Sequence, residues 1–374
     1  YRKQEQVSTE YNLEGDLLLG RVSELLHTFE ALDPQTTLAG SMRLQASGYT
    51  EQNRVVLRDL DTRIKDFILY REGNFFRDKE LRLSTSRKAA PAAEEGLRPL
   101  VEAASPDDFF AHGGGYNLID LSQRRLVLRD LEFSSGVAKI QAKMFALDDW
   151  QAKPVPGIKT LQVNGTSDLA KLSTLLGKAK KGEPQQQMGG KARFAIDLKE
   201  QGSGSSQANS GHGGTVALDL DQFSLGEPGK GLALQQPIEF RSKLHGNLVA
   251  GDIYLTTFDL QSDPLAMQSN GRLNLEGPQA HFALEGTATP DLASLLKLLQ
   301  GKYPLDMTIT GKRKEKFSLH YPLAEKPEGQ IPADLRFATT LHADTLYKAG
   351  WILRSYLWIA RWIRDCSPPP CKGG

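Results

Sequence analysis

The run GRLNLEGPQAHFALEGTATPDLASLLKLLQG, residues 271–301, changes its hydrophobic period once and in doing so defines the fold. Leu273 and Leu275 alternate with polar neighbours, Gly277–Pro278 makes a turn, and Phe282 and Leu284 alternate again. A period of two is the mark of a strand with one apolar face. After Gly286 the period lengthens: Leu292, Leu295, Leu296 and Leu299 form one helical stripe behind the N-capping residues Thr289 and Asp291. NGTSDLAKLSTLLG (164–177) repeats this switch, and LEGDLLLGRVSELL (13–26) repeats it more loosely. Asp168 and Asp291 are either a pair of reactive carboxylates or helix caps. Recurrence at a helix start favours capping, where the carboxylate accepts backbone N–H groups and meets the positive end of the helix dipole.

Alternation dominates elsewhere. TVALDLDQF puts Val216, Leu218 and Leu220 on one face and Asp219 and Asp221 on the other. LDMTITGKRKEKFSLHYPL reads as a hairpin, with Leu305, Met307 and Ile309 on one arm and Phe317, Leu319 and Tyr321 on the other. Further strands fit 36–48, 54–70, 126–146, 192–199 and 235–262. VVLRDL (55–60) returns as LVLRDL (126–131), which suggests a sheet extended by similar units. Helices fit 17–30, 92–104, 168–179, 290–300 and 344–365. The stretches 88–96, 180–191 and 200–215 read as loops. The expected fold is therefore mainly β, a β-rich α+β chain with one long antiparallel sheet and a few short capping helices. Residues 1–343 form the repetitive sheet and 344–374 a separate tail.

Composition excludes more than it assigns. The 374 residues are 39% hydrophobic and 24% charged with a net charge of +1, so there is no electrostatic case for nucleic acid. No apolar run reaches the roughly 18–20 residues of a membrane span. HGGGYN (112–117) has the look of an oxyanion loop, but the chain has no G-x-S-x-G elbow to go with it. GEPGKG (226–231) lacks the spacing and hydroxyl of a phosphate loop. The seven histidines show no ligand spacing, NGT (164–166) matches a glycosylation acceptor only by chance, and no cofactor or metal is expected. Cys366 and Cys371 form a small terminal disulfide loop or remain two thiols.

YKAGWILRSYLWIARWIRD (347–365) holds three of the chain's four tryptophans. As a helix it is amphipathic: Ile352, Leu353, Tyr356, Ile359, Ala360 and Ile363 share an apolar face, with Trp351, Trp358 and Trp362 along its flank. Such a helix suits a membrane surface, and equally a protein partner or the sheet itself.

The alternating strands and the two leucine-rich joints resemble the AsmA-like family of Gram-negative bacteria, related to the chorein-type bridge-like lipid-transfer proteins. The matching positions are Gly165, Asp168, Leu169, Ala170, Leu172, Leu175 and Leu176, and again Gly286, Asp291, Leu292, Ala293, Leu295, Leu298 and Leu299. GDIYLTTFDLQSDPLAMQSNGRLNLEG (251–277) is similar to the family's final strands. The resemblance implies a twisted sheet curled into an open apolar groove that sheathes acyl chains, with no enzymatic activity. The implied partner is phospholipid and the implied location the periplasm, associated with the inner membrane. Groove positions would be Val216, Leu218, Leu220, Leu273, Leu275, Phe282, Leu284, Met307, Ile309, Phe317 and Leu319. The alternative is a scaffold subunit of an envelope assembly, docked through the C-terminal helix.

Overall fold

The computed structural model describes residues 8–28, 33, 35–51, 53–71, 74–85, 117–149, 157–176, 187–201, 211–226, 232–233, 237–248, 250–275, 280–300, 306–323, 336–348 and 351–363. The chain is mainly β and its strands pair antiparallel throughout. It divides into two units, residues 1–200 and 201–374. The loop at 88–96, the helix at 92–104 and both cysteines lie outside the described residues.

Unit 1 begins with β1 (Ser8–Leu18), which runs straight into α1 (Leu19–Thr28) and returns as β2 (Thr36–Glu51) against β1. β3 (Arg54–Arg71) pairs with β2, and the next strand position is shared by two segments. β4 (Asn74–Thr85) lies beside residues 61–71 of β3, and β5 (Asn117–Asp120) beside residues 54–57. Two side chains bridge the interruption. Thr85 Oγ1 accepts from Leu60 N at 3.0 Å and Asn117 Oδ1 from Arg129 N at 2.6 Å, supplying acceptors where no ladder carbonyl stands. β6 (Arg125–Ser134) pairs with both segments and then forms a hairpin with β7 (Ala138–Asp148), so the strand read as 126–146 is two. β8 (Gly157–Asp168), α2 (Leu169–Leu176) and β9 (Gln187–Gln201) repeat the strand–helix–strand joint, β9 starting earlier than the expected 192.

Unit 2 contains β10 (Gly211–Gly226), β11 (Leu232–Ala233), β12 (Ile238–Asn247), β13 (Asp252–Gln261), β14 (Leu265–Asn274) and β15 (His281–Pro290). The joint appears again as β15, α3 (Leu292–Gln300), β16 (Thr308–Thr310) and β17 (Glu315–Pro322). The expected hairpin at 305–321 does not form. β16 and β17 lie end to end along one strand, β18 (Arg336–Lys348), with Thr308 opposite Tyr347 and Phe317 opposite Thr339. The intervening residues include one extra position, with Gly311 at φ +152°. That bulge reverses the alternation, so Ile309 faces Leu346 and leaves the side that Phe317 shares with Thr339.

The amphipathic helix expected over 344–365 is also corrected. Residues 336–348 are β18, and Trp351–Ile363 are β19, paired from Lys348↔Trp351 to Arg336↔Ile363. Trp, Ile, Tyr and Leu satisfy a helical wheel, but Trp, Ile and Tyr are strong strand formers, and a long neighbouring strand offers every residue a pairing partner. The membrane or partner helix that was to carry Trp351, Ile352, Tyr356, Trp358, Ile359, Trp362 and Ile363 is therefore a strand.

Candidate functional surface

The leucine-rich joints explain themselves atom by atom. Asp168 Oδ1 accepts from Lys171 N at 3.2 Å, and Asp291 Oδ1 from Ser294 N at 3.1 Å, each the N-cap bond to the third helical residue. Asp168 N donates to Val137 O at 2.8 Å, and Asp291 N to Pro264 O at 2.9 Å. Those carbonyls belong to matching turns: Ser135 Oγ donates to Ala138 O at 3.3 Å and Ser262 Oγ to Leu265 O at 2.9 Å. Across the ladder Asp168 stands opposite Lys191 and Asp291 opposite Lys312. Gly165 lies opposite Phe194 and Gly286 opposite Phe317. A Cβ on Gly165 would stand 2.7 Å from the Phe194 ring, which closes over the glycine. Both aspartates are thus committed to structure. The first copy departs from the pattern: α1 starts behind Leu18, and Asp16 sits on β1 opposite Arg43.

Register sorts the remaining side chains into two faces. In unit 2 one face carries cross-strand rows of apolar residues. Leu218, Phe240, Leu260, Met267 and Ala288 make one row, and Gly214, Leu244, Leu255, Gly271, Leu284 and Leu319 a second. Val216, Ser242, Phe258, Ser269, Gly286 and Phe317 make a third, and Ile253, Leu273, Phe282 and Tyr321 a fourth. Phe258 packs edge-on to Phe240 at 5.0 Å and lies 6.2 Å from Phe282. Ile253, Leu255, Leu284 and Phe317 are buried, whereas Leu244, Phe258, Met267, Leu273, Phe282 and Leu319 are only half-buried.

Of the positions singled out from sequence, Val216, Leu218, Leu220, Leu273, Phe282, Leu284, Phe317 and Leu319 share this face. Leu275 lies just past the end of β14 and is 50% exposed. Met307 and Ile309 stand apart, beyond the bulge; Met307 O accepts from Gln300 Nε2 of α3 at 3.0 Å. Among the described residues of each unit, the main helix packing is of α1 on β1 and β2, of α2 on β4 and β8, and of α3 on β16, and the other strand contacts are with sheet neighbours. Among the described residues of unit 2, no second layer packs substantially on β10, β12, β13, β14, β15 or β17.

Unit 1 carries the same division, which the sequence reading did not extend to named residues. Leu44, Thr62, Leu83, Phe133, Ile140, Gly165 and Phe194 run across its strands as one apolar row. The other face is polar: Glu14, Gln45, Asp61, Ser84, Glu132, Gln141 and Asn164 form one row beside Asp16, Arg43, Arg63, Arg82, Ser134, Lys139, Thr166 and Arg193. Two clefts of about 560 and 500 Å³ share Arg82, Ser84 and Glu132; the first is lined mainly by these polar rows, and the second also by Phe133, Ile140, Gly165 and Phe194 of the apolar row. The signal was present in the alternation of β2, β3 and β6, but which rows become continuous depends on register.

No cluster of His, Cys, Asp or Glu able to hold a metal occurs among the described residues, and among them no helix is long and apolar enough to cross a membrane. No family model, curated protein or solved structure matches this chain.

Proposed function

We propose that the chain is an AsmA-like cell-envelope protein of the periplasm whose apolar sheet face binds phospholipid acyl chains and lets them move between membranes without covalent chemistry. The observation that carries this reading is the set of continuous apolar rows across β10, β12, β13, β14, β15 and β17, half-exposed and lacking a covering layer among the described residues. Each methylene taken from water onto such a face gains about 0.8 kcal/mol, so one acyl chain offsets several kcal/mol of exposed apolar surface. Adjacent rows of similar chemistry give a chain many nearly equivalent positions, which favours sliding over tight capture.

The test is photocrosslinking from Val216, Leu273 and Phe282 in protein purified from cells without detergent, with Lys243 and Thr287 on the polar face as controls. Lipid adducts confined to the first three positions support the reading. Adducts at neither set, together with no co-purifying lipid in native mass spectrometry, overturn it.

A further inference from the structure

We propose that Lys139, Thr166 and Arg193 form a phosphate-binding site on the polar face of unit 1. The three residues stand in direct register on neighbouring strands, Lys139 opposite Thr166 and Thr166 opposite Arg193. Strands lie about 4.8 Å apart, so the two cationic residues start roughly 10 Å from each other on either side of one hydroxyl. Both have long side chains that reach the space above the strand between them.

Their charges stand out on this face. Farther along the same row Arg43 is paired with Glu14 at 2.6 Å, Arg63 with Asp61 at 3.2 Å and Arg82 with Asp61 at 3.0 Å. Among the described residues neither Lys139 nor Arg193 makes an ion pair, although both line the 500 Å³ cleft. The cleft's one carboxylate, Glu132, stands opposite Ser84 and Gln141 in the adjacent row. It lies towards Arg82, whose positive charge it helps to hold. The β7–β9 end of the cleft thus carries two positive charges beside the hydroxyl and amide groups of Ser134, Thr166, Gln141 and Asn164, with Phe133, Ile140, Gly165 and Phe194 completing the lining.

A guanidinium, an ammonium and a hydroxyl around an open cleft match the oxygens of a phosphate, which takes paired N–H donors from Arg and a point charge from Lys. The ligand is therefore a phosphate ester, presented either by a lipid headgroup or by a soluble molecule. The site lies in unit 1 and the proposed acyl-chain rows in unit 2, so the proposal stands or falls independently of acyl-chain binding.

The test uses the full chain with three probes: inorganic phosphate, glycerol phosphate, and vesicles of phosphatidylglycerol and phosphatidylcholine set against phosphatidylcholine alone. Lys139→Gln combined with Arg193→Gln should weaken binding roughly tenfold or more, as expected for losing two charge-assisted contacts. Thr166→Val should weaken it less, and Lys243→Gln in unit 2 should leave it unchanged. All substituted side chains are exposed, so circular dichroism should show an intact fold. Binding of the anionic vesicles alone assigns the phosphate to a lipid headgroup; binding of either soluble probe assigns it to a free ester. Failure to bind any probe, equal binding by wild type and the double variant, or an equal loss in Lys243→Gln overturns the proposal.

Discussion

Asp120 shows how one residue ties the sequence to the stability of unit 1. Its side chain is only 2% exposed, and its oxygens accept from Ser122 N at 3.0 Å, Gln123 N at 2.9 Å, Ser122 Oγ at 2.7 Å and Arg54 Nε at 3.3 Å. Burial raises its pKa, but the Gln123 amide, the Ser122 hydroxyl and Arg54 together outweigh burial and hold it below the usual carboxylate value. A depressed folded-state pKa contributes stability that is present above the unfolded value of about 3.9 and lost as pH falls through the folded value. Urea midpoints of the wild type should therefore drop as the pH falls below about 4, and Asp120→Asn should lower the midpoint at neutral pH while flattening that acid dependence. The joint aspartates act through neutral geometry as well as charge. Asp168→Ala and Asp291→Ala should each cost about 1 kcal/mol in urea unfolding, the usual worth of an N-cap. Because their roles match, an effect at one site with none at the other would contradict the equivalence of the joints.

At the scale of elements, alternation made most strands legible, and the caps and leucine stripes located α2 and α3. The failures concern strand pairing, some of it between neighbouring strands and some between distant segments. Residues 351–363 carry apolar side chains at intervals that fit both periods, and only the presence of β18 selects the strand. Hydrogen exchange should report this directly: removing residues 351–363 should accelerate exchange of the β18 amides at 336–348 that bond across the pair. No change in β18 would mean that the strand pairing is wrong. The bulge between β16 and β17 was equally hidden, because Gly311 marks a turn in a hairpin and a kink in a strand with the same composition. The shared strand position of β4 and β5 is set by segments 32 residues apart at their nearer ends, Thr85 and Asn117. No local pattern shows that the two segments lie in line.

At the scale of the whole molecule, the question is which substitutions would separate lipid handling from folding. Leu284 is 2% exposed and Leu275 50% exposed. Leu284→Asp places an unpaired charge in the buried cluster and should abolish cooperative unfolding of unit 2. Leu275→Asp changes a largely solvated position, where surface substitutions usually stay within about 0.5 kcal/mol, yet it puts a charge beside the apolar rows. It should reduce co-purifying lipid, measured by mass spectrometry, with little shift in the urea midpoint. Unchanged lipid content would remove Leu275 from the proposed track.

By itself the sequence determined the mainly β class, the strand faces and the capped helices, because those follow from a period of two, a period of 3.6 and the hydrogen-bonding needs of a helix start. Only the tertiary structure decided which strands meet. It joined β4 and β5 into one position, set β16 and β17 end to end, turned 351–363 into a strand, and aligned separate alternating faces into continuous apolar and polar rows. The physical reason is that ladder hydrogen bonds are nearly indifferent to side-chain identity, so register is fixed by the sum of cross-strand packing over the whole sheet.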